Sequence, residues 1–197
     1  TAGELVDPDK ASKDPKEQAK LTEQKTALAS AVSLLRQAQK LDDSPSIVRN
    51  LATALLLQGS GAEAERLVSA TLSTTGKNDP LLWIVQARLL GQQKQLPQAS
   101  EAADRAVAEA RRQLDNLPGA DGGRRPILLK QLASARIEQA ARYVAQDAAR
   151  TTAATAKDRE RLDTAIEGAQ QTTRDLASLG SGAGSSDSKE LLKAAQH

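Results

Sequence analysis

The chain has 197 residues, 39% hydrophobic but only 1% aromatic, with no Phe, so its interior must be built mainly from Leu, Ala, Val and Ile. Lys and Arg number 27 against 25 Asp and Glu, interspersed along the chain for a net charge of +2; such a balance gives no general pull toward nucleic-acid phosphates or anionic lipid. With no Cys there are no disulfides, thiolate nucleophiles or cysteine metal sites, and the longest apolar stretches, Ala54 to Leu57 and Leu81 to Val85, fall far below the roughly 20 residues of a membrane span.

Residues 1–13 mix Asp, Lys, Pro and Gly and read as a flexible lead-in. Thr1 and the lack of any Met suggest a processed or excised piece of something longer. Asp14 and Pro15 are good residues for a helix start. Beyond them Leu21, Leu28, Val32, Leu35 and Ala38 recur at the spacing that lines one helix face, up to about residue 42. No run alternates in the manner of a half-buried strand.

The next segment repeats. Pro45, Val48, Ala52 and Leu55 align with Pro80, Trp83, Ala87 and Leu90, each pair 35 residues apart, and Ala64 aligns with Ala99 at the same offset. One period therefore spans two helices, at 45–76 and again at 80–110. Small residues at 52, 64, 87 and 99 let backbones approach closely, Gly59 can take the positive φ that ends a helix abruptly, and Trp83 is the one side chain large enough to fill the gap between neighbouring hairpins.

In these columns the chain resembles the tetratricopeptide repeat, a unit of about 34 residues made of two antiparallel helices. Val48 stands where that motif has Trp, Leu51 and Ala52 where it has Leu-Gly, Leu55 where it has Tyr, and Gly59 at the turn; the second unit keeps Trp83, Ala87, Leu90, Ala99 and Ala106 but has Gln86 for Leu and Lys94 for the turn glycine. The resemblance implies an all-α, right-handed solenoid of helix hairpins over residues 14–179. Ala31, Leu35 and Ala38 imitate a second helix, a partial repeat at 14–42.

After a loop at 116–125, Pro126 opens a helix with Leu129, Leu132, Ala133 and Ile137, whose apolar face is expected to run on through Ala141, Val144 and Ala148. Asp158 is placed to cap another helix carrying Leu162, Ile166, Ala169, Thr173 and Leu176. Residues 126–179 thus read as a lengthened hairpin, with a single long helix as the alternative. Residues 180–187 read as a Gly/Ser linker, and 188–197 as the first turns of a helix cut off by the chain end.

Catalytic chemistry finds little to work with. The glycines at 180–184 lack the preceding strand and the Gly-Lys-Ser/Thr ending of a phosphate-binding loop. The only His is His197, which removes triads and histidine zinc sites. Asp42, Asp43, Glu63 and Glu65 sit at helix ends or on polar faces, where the helix dipole suffices to explain those near a helix start. The pairs Arg111-Arg112 and Arg124-Arg125 are isolated and lack stacking aromatics. No catalytic, cofactor or metal residue is assigned.

The resemblance instead implies a non-enzymatic interaction module whose first helices line a groove for a peptide or helix of a partner protein. By position, Arg49, Thr53, Leu56, Ile84, Arg88, Lys130 and Ser134 would face it, giving it a positive character. Thr53, Val85, Ile127 and Gln131 stand where the family's carboxylate-clamping members have Lys, Arg and Asn, so a partner held by its terminal carboxylate is not expected. Nucleic acid and membrane insertion are not expected either; self-association remains open. The alternative function is a spacer or self-associating section of a larger bacterial export or envelope assembly, and composition leaves periplasm and cytoplasm equally open.

Overall fold

The computed structural model describes residues 15–118, 123–150 and 154–180. Among the described residues the regular structure is seven α-helices and no strand: α1 Pro15–Leu41, α2 Pro45–Leu57, α3 Gly61–Leu72, α4 Pro80–Gln92, α5 Leu96–Asp115, α6 Arg125–Ala148 and α7 Ala156–Gly180. The expected lead-in at 1–13, Asp14, the linker beyond Gly180 and the terminal helix at 188–197 lie outside the described residues. Two compact units divide the chain, Thr1–Leu67 and Val68–His197, the division falling inside α3.

In the first unit α1 packs on α2. Val32 is 2% exposed, whereas Leu21, Leu28, Leu35 and Ala38 on the same stripe are half-buried. Pro45, with its φ fixed for a first helical turn, opens α2 after an extended Ser44. Val48, Leu51, Ala52 and Leu55 are then fully enclosed. The helix stops at Gly59, whose φ of 83° turns the chain; the N–H of Ser60 reaches back to the Leu55 carbonyl at 2.8 Å and that of Gly59 to Leu56 at 3.1 Å. This pair of bonds satisfies carbonyls that a helix end otherwise leaves open.

The second unit repeats the device. Asp79 accepts hydrogen bonds from the N–H groups of Leu81 at 2.8 Å and Leu82 at 3.1 Å, and Pro80 opens α4. At its other end Lys94 holds φ 61°, with Gln95 N–H on the Leu90 carbonyl at 2.9 Å and Lys94 N–H on Gly91 at 3.1 Å. α4 packs on α5 and α6, α5 on α6, and α6 on α7. The inner face of α5 is almost all alanine: Ala99, Ala102, Ala103, Ala106 and Ala110 are each at most 4% exposed. α4 contributes Ala87 and Leu90 to one cluster on this face, and Ile84 to a second that includes Leu132 and Ala135 of α6.

Trp83 is half-buried rather than enclosed, although it packs against both clusters. Its indole N–H donates to the Lys77 carbonyl at 2.9 Å, and the Arg105 guanidinium lies 5.0 Å from the ring centre. The polar edge of the ring therefore stays near water, where its N–H finds a partner.

Beyond Arg125 the chain forms two helices, α6 and α7, that run antiparallel. Arg136 of α6 donates to the Gly168 carbonyl at 2.6 Å and to the Thr172 hydroxyl, while Arg150, just past α6, pairs with Asp158 near the start of α7. Leu129, Leu132 and Ala133 are buried as their spacing predicts, and Ile137 is half-buried. Ala141, Val144 and Ala148, expected on the inner face, are exposed, because α4, α5 and α7 all pack against other sides of α6. Asp158 is not the N-cap of α7 either. Thr155 precedes the helix and exchanges bonds with it: the Thr155 N–H donates to Asp158 Oδ2 at 3.1 Å, and the Asp158 N–H to the Thr155 hydroxyl at 3.2 Å. That reciprocal arrangement is a capping box.

Candidate functional site

The seven candidate binding residues fall on three helices in the two units. On α2, Arg49, Thr53 and Leu56 share one face at four- and three-residue spacing and are all half-buried. The Thr53 hydroxyl is turned onto its own helix, donating to the Arg49 carbonyl at 2.8 Å.

On α4 and α6 the outcome differs residue by residue. Ile84 is 4% exposed, packed among Ala106, Ala110, Leu132 and Ala135, and offers no surface to a partner. The cause is the course of α6, which runs alongside α4 in the same direction: Ile84 meets Leu132 and Ala135, Arg88 meets Glu138, and Gly91 meets Arg142. Arg88 is 54% exposed, but its Nε–H donates to Glu138 Oε2 at 2.8 Å. Lys130 and Ser134 are half-buried on α6.

Glu138, which no sequence motif singles out, is the centre of this seam. It is 5% exposed and lies between two arginines, Arg88 from α4 and Arg142 from its own helix. Arg142 Nε approaches Glu138 Oε1 at 2.9 Å but off the hydrogen-bonding direction, so this contact is an ion pair without a hydrogen bond. Gly91 makes room for it; a Cβ there would collide with Arg142 Nη1. The i, i+4 pair of Glu138 and Arg142 is visible in the sequence, but Arg88 lies 50 residues away and only the α4–α6 packing brings it in.

A second polar cluster ties α5 to α6 and α7. Asp104 accepts from the Tyr143 hydroxyl at 2.7 Å and from Gln139 Nε2 at 2.8 Å, with Arg161 Nη2 at 3.4 Å. The Arg161 guanidinium sits 5.2 Å from the centre of the Tyr143 ring. Burial, followed by the hydrogen bond to Asp104, pushes the Tyr143 hydroxyl up to about 12. Burial, and after it the charge of Arg111, pulls the Arg136 guanidinium below its ordinary value, while Asp175 acts the other way. Hydrogen bonds from Arg150 and from the Thr155 hydroxyl hold the Asp158 carboxyl well below the usual range.

These carboxylates thus face arginine, hydroxyl and amide donors, and their arrangement joins helices. Among the described residues no group of three or more His, Asp or Glu is placed to hold a metal ion, and no helix is long and apolar enough to cross a membrane. Comparison with known proteins finds no match: no family model fits the sequence, and no curated protein or solved structure shows significant similarity to it.

Proposed function

We propose that the chain is a non-enzymatic protein–protein interaction module built as a solenoid of tetratricopeptide-like hairpins, whose first helices take up a peptide or helix of a partner. The observation that carries this reading is the turn repeated at 35 residues: Gly59 and Lys94 share a left-handed backbone and the same two hydrogen bonds. A duplicated local structure, down to its helix stops, points to a repeat unit. The contacts of α4 with both α5 and α6 fit the same reading, since stacked hairpins bring successive first helices side by side.

Of the candidate residues, Arg49, Thr53 and Leu56 lie half-buried on α2 in the first unit and Lys130 and Ser134 half-buried on α6 in the second, each set tested within its own unit, while Ile84 is enclosed in the core. A displayed peptide library selected on the wild-type chain tests it, with the selected peptides then titrated against Arg49→Glu and Lys130→Glu. Binding weakened by either substitution supports the groove; binding unchanged in both rejects it. Arg88→Glu is unsuitable because it would set a second carboxylate beside the buried Glu138.

A second reading, a spacer or self-associating section of a larger bacterial export or envelope assembly, draws on the large apolar side chains left on the surface. Leu34, Leu41 and Leu57 are 65%, 90% and 60% exposed.

A further inference from the structure

We infer that a second copy of this chain covers the outer face of α6. Ile127, Lys130, Ser134, Ile137, Ala141, Val144 and Ala148 recur at alternating spacings of three and four, the pattern of a helix–helix seam. Ile127 and Val144 are 58% and 50% exposed, Ala141 and Ala148 are exposed, and Lys130 is the only charged residue of the seven. The face runs for about 32 Å at 1.5 Å per residue. By contrast, α7 presents Arg159, Glu160, Asp163, Glu167 and Arg174 to water. A helix face turned permanently to solvent carries such charges; the outer stripe of α6 carries only Lys130, the exposed Arg125 and Asp147 lying off it at the two ends.

The pattern is complementary to itself. Laid antiparallel on a second copy in one register, Ile127 meets Val144, Lys130 meets Ala141 and Ser134 meets Ile137, and the twofold axis falls between Ser134 and Ile137. The two most exposed apolar side chains of the helix then cover each other. Small residues sit opposite larger ones in the remaining layers, and the Lys130 stem can cross Ala141 with its ammonium at the rim.

Charge fixes the direction. A parallel pairing would set Lys130 against Lys130, whereas the antiparallel one separates the two by about 16 Å of helix and opposes the helix dipoles. A foreign helix would find a single cation to recognise, which selects poorly for any acidic partner. The inference uses α6 alone and stands whether or not the hairpins form a solenoid. It does predict that the pairing hides Lys130 and Ser134 from the partner proposed above. A single-helix strip of this length makes a small interface of the weak, reversible kind, with a dissociation constant on the order of micromolar.

Sedimentation equilibrium of the whole chain from about 1 to about 500 μM, a range chosen to bracket such an interface, tests the proposal. A monomer–dimer equilibrium is expected, weakened about tenfold or more by Val144→Glu and by Ile127→Glu. Far-UV circular dichroism should be unchanged, and so should the denaturation midpoint at a concentration well below the dissociation constant, where the chains are monomeric, because both side chains are half or more exposed. Glu167→Lys on α7 should leave the equilibrium alone. The chain has no Cys, so Ser134→Cys supplies a clean second measurement: it should oxidise to a covalent dimer, and Glu167→Cys should not. A monomer at every concentration, or a dimer that neither α6 substitution weakens, overturns the inference; partner peptides that bind a monomer through Val144 would assign the face to a foreign helix instead.

Discussion

Gly59 and Lys94 stand 35 residues apart and hold the same left-handed backbone, φ 83° and 61°, at the ends of α2 and α4. For glycine the conformation is free of Cβ strain, whereas lysine bears a cost of roughly 1 kcal/mol there. Lys94→Gly is therefore expected to stabilise the chain by about 0.5 kcal/mol, the relief of strain being partly offset by a more flexible unfolded state. Nothing lies within 4 Å of a Cβ built at Gly59, so Gly59→Ala should cost about 1 kcal/mol through backbone strain alone. Urea denaturation of the two variants measures both; equal and opposite signs to these would refute the shared turn.

Glu138 and its arginines make a second prediction. Glu138→Ala leaves Arg142 without its partner in a half-buried place, and loss of a buried ion-pair partner costs several kcal/mol; because Arg88 is 54% exposed, a value of about 2 kcal/mol is expected. Gly91→Ala should displace the Arg142 guanidinium at a cost of about 1 kcal/mol, since the obstructing atom ends a flexible side chain. In Gly91→Ala with Arg142→Ala the clash is gone, so the two effects must fail to add. Simple additivity would mean that Gly91 does not serve to admit the arginine.

Tyr143 is the only tyrosine, so its ionisation can be followed by ultraviolet absorbance without overlap from another phenol. Its folded value of about 12 lies above the ordinary 10, because burial and Asp104 disfavour the phenolate. The neutral form is thus the one favoured by folding. The associated stability is fully present below pH 10 and is lost as pH rises from about 10 through about 12. Asp104→Asn keeps an acceptor but removes the charge, so the midpoint should fall toward 10 without reaching it, burial remaining as the larger cause. An Asp104→Asn midpoint equal to that of wild type, in protein still folded by circular dichroism, would contradict the Asp104 contribution.

Trp83 supplies the fourth test. Full enclosure between hairpins would make Trp83→Ala cost roughly 3–5 kcal/mol; half-buried, with its N–H on the Lys77 carbonyl, it should cost about 2 kcal/mol, close to half the transfer and cavity contributions. Arg105→Ala should change the fluorescence of this single Trp while leaving stability within about 1 kcal/mol, the usual worth of an exposed cation–π contact.

Local features are legible in the sequence, and long-range ones are not. Pro45, Pro80 and Gly59 announce helix ends through backbone chemistry carried by the residue itself, and Ala52, Ala87 and Ala99 announce close approach by their size. Lys94 gave no such notice, since nothing in a lysine reveals a positive φ that the surrounding turn imposes. Ile84 occupies a column that the repeat pattern turns outward, because period alone cannot tell which face a later helix will cover. Val144 shows the converse: it continues an apolar stripe whose spacing is the same whether the stripe meets the core or the surface. The pairing of Glu138 with Arg88 spans 50 residues, and no local pattern foretells it.

The alanine face of α5 bears on how the chain responds to temperature. Alanine gives up no rotamer freedom when buried but also removes little hydrocarbon from water. With no Phe and a single Trp and Tyr elsewhere, unfolding should expose less apolar surface than is usual for a chain of this length. Its heat-capacity change should accordingly be small and its stability curve flat, with slow losses on both cooling and warming, a shape that differential scanning calorimetry would reveal directly.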